Sequence, residues 1–122
     1  IKYSFPSDSG KLLESALKLY KEKKYTVAKL QFNELISRHY KPAKSNYYLG
    51  EINFYQKLYA KAITHFKTSF KLYSKSDYIP SLLLHTGESL LKLKEKSEAK
   101  KFFSILMSNY STSKEAKQAR KY

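Results

Sequence analysis

Leu58-Tyr59-Ala60-Lys61-Ala62-Ile63-Thr64-His65-Phe66 is one of three passes of the chain through a single pattern. The others are Lys24-Tyr25-Thr26-Val27-Ala28-Lys29-Leu30-Gln31-Phe32 and Lys96-Ser97-Glu98-Ala99-Lys100-Lys101-Phe102-Phe103. Aligned on the alanine, the markers are Ala28, Ala62 and Ala99, spaced 34 and then 37 residues apart. The aromatic four residues on keeps that register (Phe32, Phe66, Phe103), and so does the small residue twelve before (Ala16, Gly50, Gly87). Three independent markers sharing one spacing predict a stack of antiparallel helix pairs, with each pair too small to bury its own apolar face. The small residues are expected where the two helices of a pair cross, because a larger side chain there would push the axes beyond the usual separation of about 8–10 Å. Gly50 is expected against Ala62 and Gly87 against Ala99, with the phenylalanines filling the space between adjacent repeats.

The rest of the chain fits helices of that length. Asp8 or Ser9 can cap a first helix over about 9–22, followed by a turn at Lys23-Lys24 and a second helix over about 25–39. Pro42 and Pro80 suit first turns, which gives helices at about 42–56, 59–73, 79–93 and 96–109. Ser74-Lys75-Ser76-Asp77 supply the extra residues of the longer spacing, and Ser111-Thr112-Ser113 cap a closing helix. The expected organisation is a linker end over 1–8 and one repeat domain over 9–122, with repeats at about 9–41, 42–78 and 79–112 and a capping helix at about 113–122. The fold class is all-α, a right-handed superhelical solenoid of three helix pairs and a cap.

Composition supports this and bounds the chemistry. In 122 residues, 42% are hydrophobic, with 12 tyrosines and 7 phenylalanines, which argues against disorder. Only 3 glycines and 3 prolines leave little room for an all-β fold. The absence of cysteine rules out disulfides, thiolate metal sites and cysteine nucleophiles. There is no apolar run of the roughly 18 residues that a spanning helix needs. The chain starts at Ile1 and reads as a processed or excised piece. Its formal charge is +14, yet of 24 basic residues only Arg38 and Arg120 are arginines. The lysines are spread over every predicted helix instead of forming one basic footprint, which weighs against dedicated nucleic-acid binding. His39, His65 and His85 have no metal-ligand spacing, and no phosphate-cradling loop or nucleophile elbow is present. No catalytic residue, metal or cofactor is assigned.

The period of 34 with small, small and aromatic markers resembles the tetratricopeptide repeat. Within that group, Asn46-Tyr47-Tyr48-Leu49-Gly50-Glu51-Ile52, Ala60-Lys61-Ala62-Ile63-Thr64-His65-Phe66, Ser81-Leu82-Leu83-Leu84-His85-Thr86-Gly87 and Asn109-Tyr110-Ser111-Thr112-Ser113-Lys114-Glu115-Ala116 resemble stretches of the periplasmic Tol-Pal-associated cell division coordinator family. The resemblance covers about residues 9–120. It implies a non-catalytic, periplasmic adaptor that binds Tol-Pal components or the septal peptidoglycan synthesis machinery, with a signal peptide and an oligomerising coiled coil upstream. A lipoprotein of outer-membrane assembly with similar repeats looks alike at this level. A basic nucleic-acid-associated adaptor is the third reading.

In such stacks the first helix of each pair lines the concave side. Counting from the small residue, offsets −6, −3, −2, +1, +4 and +5 face the groove. They give Gly10, Leu13, Glu14, Leu17, Tyr20 and Lys21; Lys44, Tyr47, Tyr48, Glu51, Phe54 and Tyr55; and Ser81, Leu84, His85, Glu88, Leu91 and Lys92. From these, Leu17, Tyr20, Lys44, Tyr47, Tyr48, Glu51, Tyr55, His85 and Glu88 are the candidate partner-binding residues. Tyrosines with polar tips make good anchors. Glu51 and Glu88 hold equivalent positions, each expected to meet a nearby lysine or a basic or N–H group of a bound peptide. A clamp of lysine and asparagine for a C-terminal carboxylate is not built, because its positions hold Leu13, Leu17, Tyr48, Ser81 and His85. The domain alone is expected to be monomeric, to bind a peptide or helix by apolar and aromatic contacts, and to have no small-molecule substrate.

Overall fold

The computed structural model describes residues 4–122; the beginning of the expected linker segment, residues 1–3, lies outside the described residues. Seven helices follow in order: α1 (Ser9–Lys21), α2 (Tyr25–Ser37), α3 (Pro42–Tyr55), α4 (Tyr59–Leu72), α5 (Ile79–Lys92), α6 (Lys96–Asn109) and α7 (Lys114–Ala119). Among the described residues there is no strand. The helices pack as the pairs α1/α2, α3/α4 and α5/α6, and the second helix of each pair packs on the first of the next. The result is an all-α helical solenoid closed by α7 against α5 and α6. Asp8 caps α1 through a bond from the Lys11 N–H at 3.0 Å, and Ser113 caps α7 through one from the Ala116 N–H at 3.0 Å.

The turn inside each pair is built the same way three times. Lys23, Lys57 and Lys94, each seven residues after the small marker, sit at φ 60°, 63° and 63°. At the first turn the Lys23 N–H donates to the Tyr20 carbonyl and the Lys24 N–H to the Leu19 carbonyl, and the other two turns repeat this pattern. This is the left-handed helix ending that usually carries glycine. A non-glycine residue there costs about 1–2 kcal/mol in sterics, while glycine loses roughly 0.5–1 kcal/mol more entropy on folding. Lys57→Gly is therefore expected to stabilise the domain by up to about 1 kcal/mol, read as a higher urea midpoint. A lower midpoint would remove the strain argument.

The glycine positions work differently from the sequence expectation. An ideal Cβ on Gly50 would stand 2.6 Å from Cδ1 of Phe66, and one on Gly87 would stand 2.7 Å from Cζ of Phe103. The nearest atoms to each glycine thus belong to a phenylalanine ring of its own pair, not to Ala62 or Ala99. Phe66 and Phe103 lie first under their own repeat's first helix and only then flank the next. The core has two parts. One gathers Leu12, Ala16, Ala28, Phe32, Leu35 and Ile52; the other gathers Ile63, Phe66, Leu82, Leu83, Phe103 and Leu106. Tyr48 packs against both.

The longer second repeat is resolved between helices. α2 is 13 residues and α4 is 14. The link after α2 runs over 38–41 and that after α4 over 73–78. One extra residue goes into the helix and two into the link, and this builds a shelf beside α3.

Candidate functional site

The first helices α1, α3 and α5 carry the nine candidate residues, and the structure sorts them by depth. Tyr55 stands out at 52% exposure. Leu17, Tyr20, Lys44, Tyr48, His85 and Glu88 are half-buried. Tyr47 is 6% and Glu51 3% exposed, so both are buried and reach a partner only through their neighbours. Leu13 and Leu84, which share offset −3 with Tyr47, are buried too. That offset points between helices rather than into the groove.

Glu51 is the centre of a network across three repeats. The His85 Nδ1–H donates to its Oε1 at 2.5 Å, and the Tyr20 hydroxyl donates to its Oε2 at 3.4 Å. Its partner is a histidine of the following repeat, not the lysine expected from the sequence. The His85 ring is stacked on Phe54, with centroids 4.2 Å apart and planes at 12°, and meets Tyr55 edge-on at 5.9 Å. One repeat further along, Glu88 accepts from the Tyr122 hydroxyl at 2.5 Å, and the Tyr122 ring stacks on Phe103. Tyr47 donates to Ser81 Oγ at 3.0 Å and stacks on Tyr78 with centroids 4.1 Å apart. Tyr48 stacks on Phe32 and meets Tyr20 edge-on at 5.0 Å.

The electrostatics of this face follow from burial. Burial, and then the Glu51 carboxylate, pushes the phenols of Tyr20, Tyr47, Tyr48 and Tyr55 above their ordinary range. Burial and the bond to Glu88 push Tyr122 up to about 12. All five therefore stay neutral near pH 7 as hydroxyls, able to donate or accept but carrying no charge.

Two pockets repeat along this face. One of about 520 Å3 is lined by Tyr20, Lys21, Lys23, Tyr25 and Tyr55. The other, of about 500 Å3, is lined by Phe54, Tyr59, Glu88, Leu91, Lys92 and Tyr122. Tyr20 and Tyr25 in the first correspond to Phe54 and Tyr59 in the second, 34 residues on. Tyr25, Tyr59 and Tyr122 were absent from the sequence-derived set, because the first two begin second helices and the third lies beyond the last full pair. The shared register of Tyr25 and Tyr59 was the available signal.

His65 lies on α4 and bonds across to α3. Asn46 donates its amide to the Pro42 carbonyl at 2.9 Å, which turns its Oδ1 toward His65 and fixes the proton on His65 Nδ1 at 2.9 Å. Burial, and then the Lys29 ammonium, holds the His65 pKa below 6.5. The fold thus favours neutral imidazole. The stability this contributes is present above about pH 6.5 and is lost as pH falls from there through the lowered folded value. A urea midpoint that declines over that window, and declines less in His65→Gln, is the expected result.

Both arginines are held internally. Arg38 bonds Glu34 at 2.8 Å and the Ser7 carbonyl at 3.3 Å, and Arg120 bonds the Ser111 carbonyl at 3.1 Å. Among the described residues no helix is long and apolar enough to cross a membrane. No curated protein matches the chain. Residues 81–113, which run from α5 to the cap of α7, match the family model described as a tetratricopeptide repeat.

Proposed function

We propose that the chain is a non-catalytic protein–protein interaction scaffold that takes a partner peptide or helix on the face formed by α1, α3 and α5. The observation that carries this reading is the pair of aromatic pockets, about 520 and 500 Å3, repeated one helix pair apart. A surface with regularly spaced apolar pockets and neutral hydroxyls suits a polymer with regularly spaced side chains better than a single small molecule. Tyr20, Tyr48, Tyr55, Leu17, Lys44, His85 and Glu88 are the contact residues in this reading, with Tyr47 and Glu51 holding them in place. The match of residues 81–113 to a tetratricopeptide repeat agrees, since such domains usually bind proteins.

The finer reading is a periplasmic adaptor of the cell envelope, acting with Tol-Pal components or septal synthesis enzymes. It is supported by the likeness of Asn46–Ile52 and the other quoted runs to the division coordinator family. Retention of envelope proteins on the immobilised domain, identified by mass spectrometry at about 0.15 M salt, tests both levels. Tyr55→Ala is the informative variant because its ring is exposed. Tyr48→Ala also strips a ring stacked on Phe32, so it confounds binding with folding. Capture of Tol or septal proteins that is lost in Tyr55→Ala is the expected result. Capture of ribosomes and nucleic acid alone, released by salt, would mean that the +14 charge governs binding.

A further inference from the structure

The long link after α4 forms one wall of a further pocket. It measures about 590 Å3 and is lined by Lys41, Pro42, Ala43, Lys44 and Tyr48 on the α3 side and by Leu72, Tyr73, Ser76, Asp77 and Tyr78 on the link side. Its volume is in the range of pockets that bury a side chain or a small ligand. Two of its walls are rigid. Tyr78 stacks on Tyr47 and shares a 2.9 Å bond with Ser69 Oγ, which itself donates to the Ala43 carbonyl. Tyr48 is clamped by Phe32 and Tyr20. At the mouth, Leu72 and Tyr73 are 51% and 54% exposed, which is unusual for neighbouring large apolar side chains unless something covers them.

The charge of the pocket is uneven. Among the described residues, Lys41 and Lys44 form no ion pair, and both stand on the α3 side. The single carboxylate, Asp77, is on the opposite wall. A cationic ligand would meet two ammonium groups and only one acid. A ligand with an apolar side chain and a flanking carboxylate fits both walls, provided the carboxylate faces α3.

We propose that this pocket is a second peptide site, which takes an aromatic or aliphatic side chain from an acidic segment of a protein partner while the segment's carboxylates meet Lys41 and Lys44. The proposal rests on the scaffold reading but not on the concave pockets. It shares Tyr48 and Lys44 with the expected groove, and its other wall belongs to the link alone.

The test is an amide NMR titration of the folded domain at about 0.15 M salt. The probe is a synthetic pentapeptide with one phenylalanine among Asp and Glu residues. Controls are the same peptide with Gly for Phe and a peptide with Lys in place of the acids. Saturable shifts confined to residues 41–48 and 72–78 are expected. Affinity should fall tenfold or more without the Phe, with the basic peptide, and in Tyr73→Ser or Lys41→Glu. Both of those residues are exposed, so the fold should be kept. Tyr55→Ser should change nothing. Absence of saturable binding overturns the proposal. So does equal binding of the peptide lacking Phe, which would reveal charge alone. A footprint on Tyr20, Tyr25 and Tyr55 that Tyr55→Ser abolishes would also overturn it, and would assign the peptide to the concave pockets while leaving the scaffold reading intact.

Discussion

Phe66→Ala is expected to destabilise the domain by about 3–5 kcal/mol, toward the upper end of what a phenylalanine truncation costs. The reason lies opposite the ring. Phe66 is fully buried, and the residue across from it is Gly50, whose missing side chain leaves the space the ring fills. The position directly across the ring on α3 therefore has no side chain that could fill the hole. The flanks lose partners as well, since Tyr47 lies 6.0 Å and His85 6.4 Å from the ring by centroid. Against a total stability of about 5–15 kcal/mol for a domain of ordinary size, this is a large fraction. The reverse change should show the same geometry. Gly50→Ala gains up to about 1 kcal/mol of helix preference but drives a methyl into the ring, an overpacking cost of about 1–3 kcal/mol. Combining Gly50→Ala with Phe66→Leu should cost less than the sum of the two alone, by more than about 0.5 kcal/mol. Urea unfolding followed by circular dichroism measures all of these. A loss below about 1.5 kcal/mol for Phe66→Ala, or strict additivity in the pair, would show that the two residues do not depend on each other as the packing implies.

That packing explains why the fold could be read from the chain. The small residue and the aromatic are one device seen from two sides, so they must recur together, and their common spacing marks the repeat even though neither motif is specific alone. The ends of α1 to α6 lie within about two residues of expectation because prolines, capping residues and the A–B turns punctuate the same register, while α7 stops at Ala119, short of the expected 122. The turns themselves were less visible. Lys23, Lys57 and Lys94 occupy left-handed positions where glycine is the usual signal, and a lysine there marks no turn by itself. The atoms nearest a Cβ on Gly50 belong to the Phe66 ring of its own pair, although the sequence expectation sets that ring between adjacent repeats.

The depth of the side chains on α1, α3 and α5 does not follow from their helical offsets. A helical offset says which way a side chain points, while burial depends on what stands beside it. Offset +1 holds Leu17, Glu51 and Glu88. Only Glu51 is buried, because its helix is the one flanked by a first helix on both sides. The polar pairing did have a sequence signature. Tyr47–Ser81, Glu51–His85 and Glu88–Tyr122 are each 34 residues apart; between α3 and α5, whose equivalent positions are 37 apart, the partner therefore lies three residues before the counterpart. Pairing residues at that distance, instead of seeking the nearest lysine, identifies the partner of Glu51.

Removal of that carboxylate is the second large expected effect. Glu51→Ala should cost about 2–4 kcal/mol, because it takes the acceptor from His85 and from Tyr20 at once and leaves polar groups in a dry site. Charge is only part of this, and Glu51→Gln separates the parts. The amide oxygen can still accept from His85 Nδ1–H, so a variant that recovers half or more of the loss would assign most of the effect to hydrogen bonding. A variant as damaging as alanine would assign it to the carboxylate's charge. A cycle with His85→Ala should give a coupling of at least about 1 kcal/mol, since the two atoms are in direct contact, at 2.5 Å. Coupling below about 0.5 kcal/mol would mean that the bond is incidental to the fold. The functional consequence follows from where the partners lie. His85 presents one ring face to Phe54 and an edge to Tyr55, and Tyr20 lines the first concave pocket with Tyr55. Loosening Glu51 therefore frees walls on both sides of the exposed Tyr55. Partner binding should weaken in Glu51→Ala even at temperatures where the domain remains folded, and Glu51→Gln should restore binding in step with stability. If binding were unchanged while stability fell, the network would serve the stack alone and not the surface built on it.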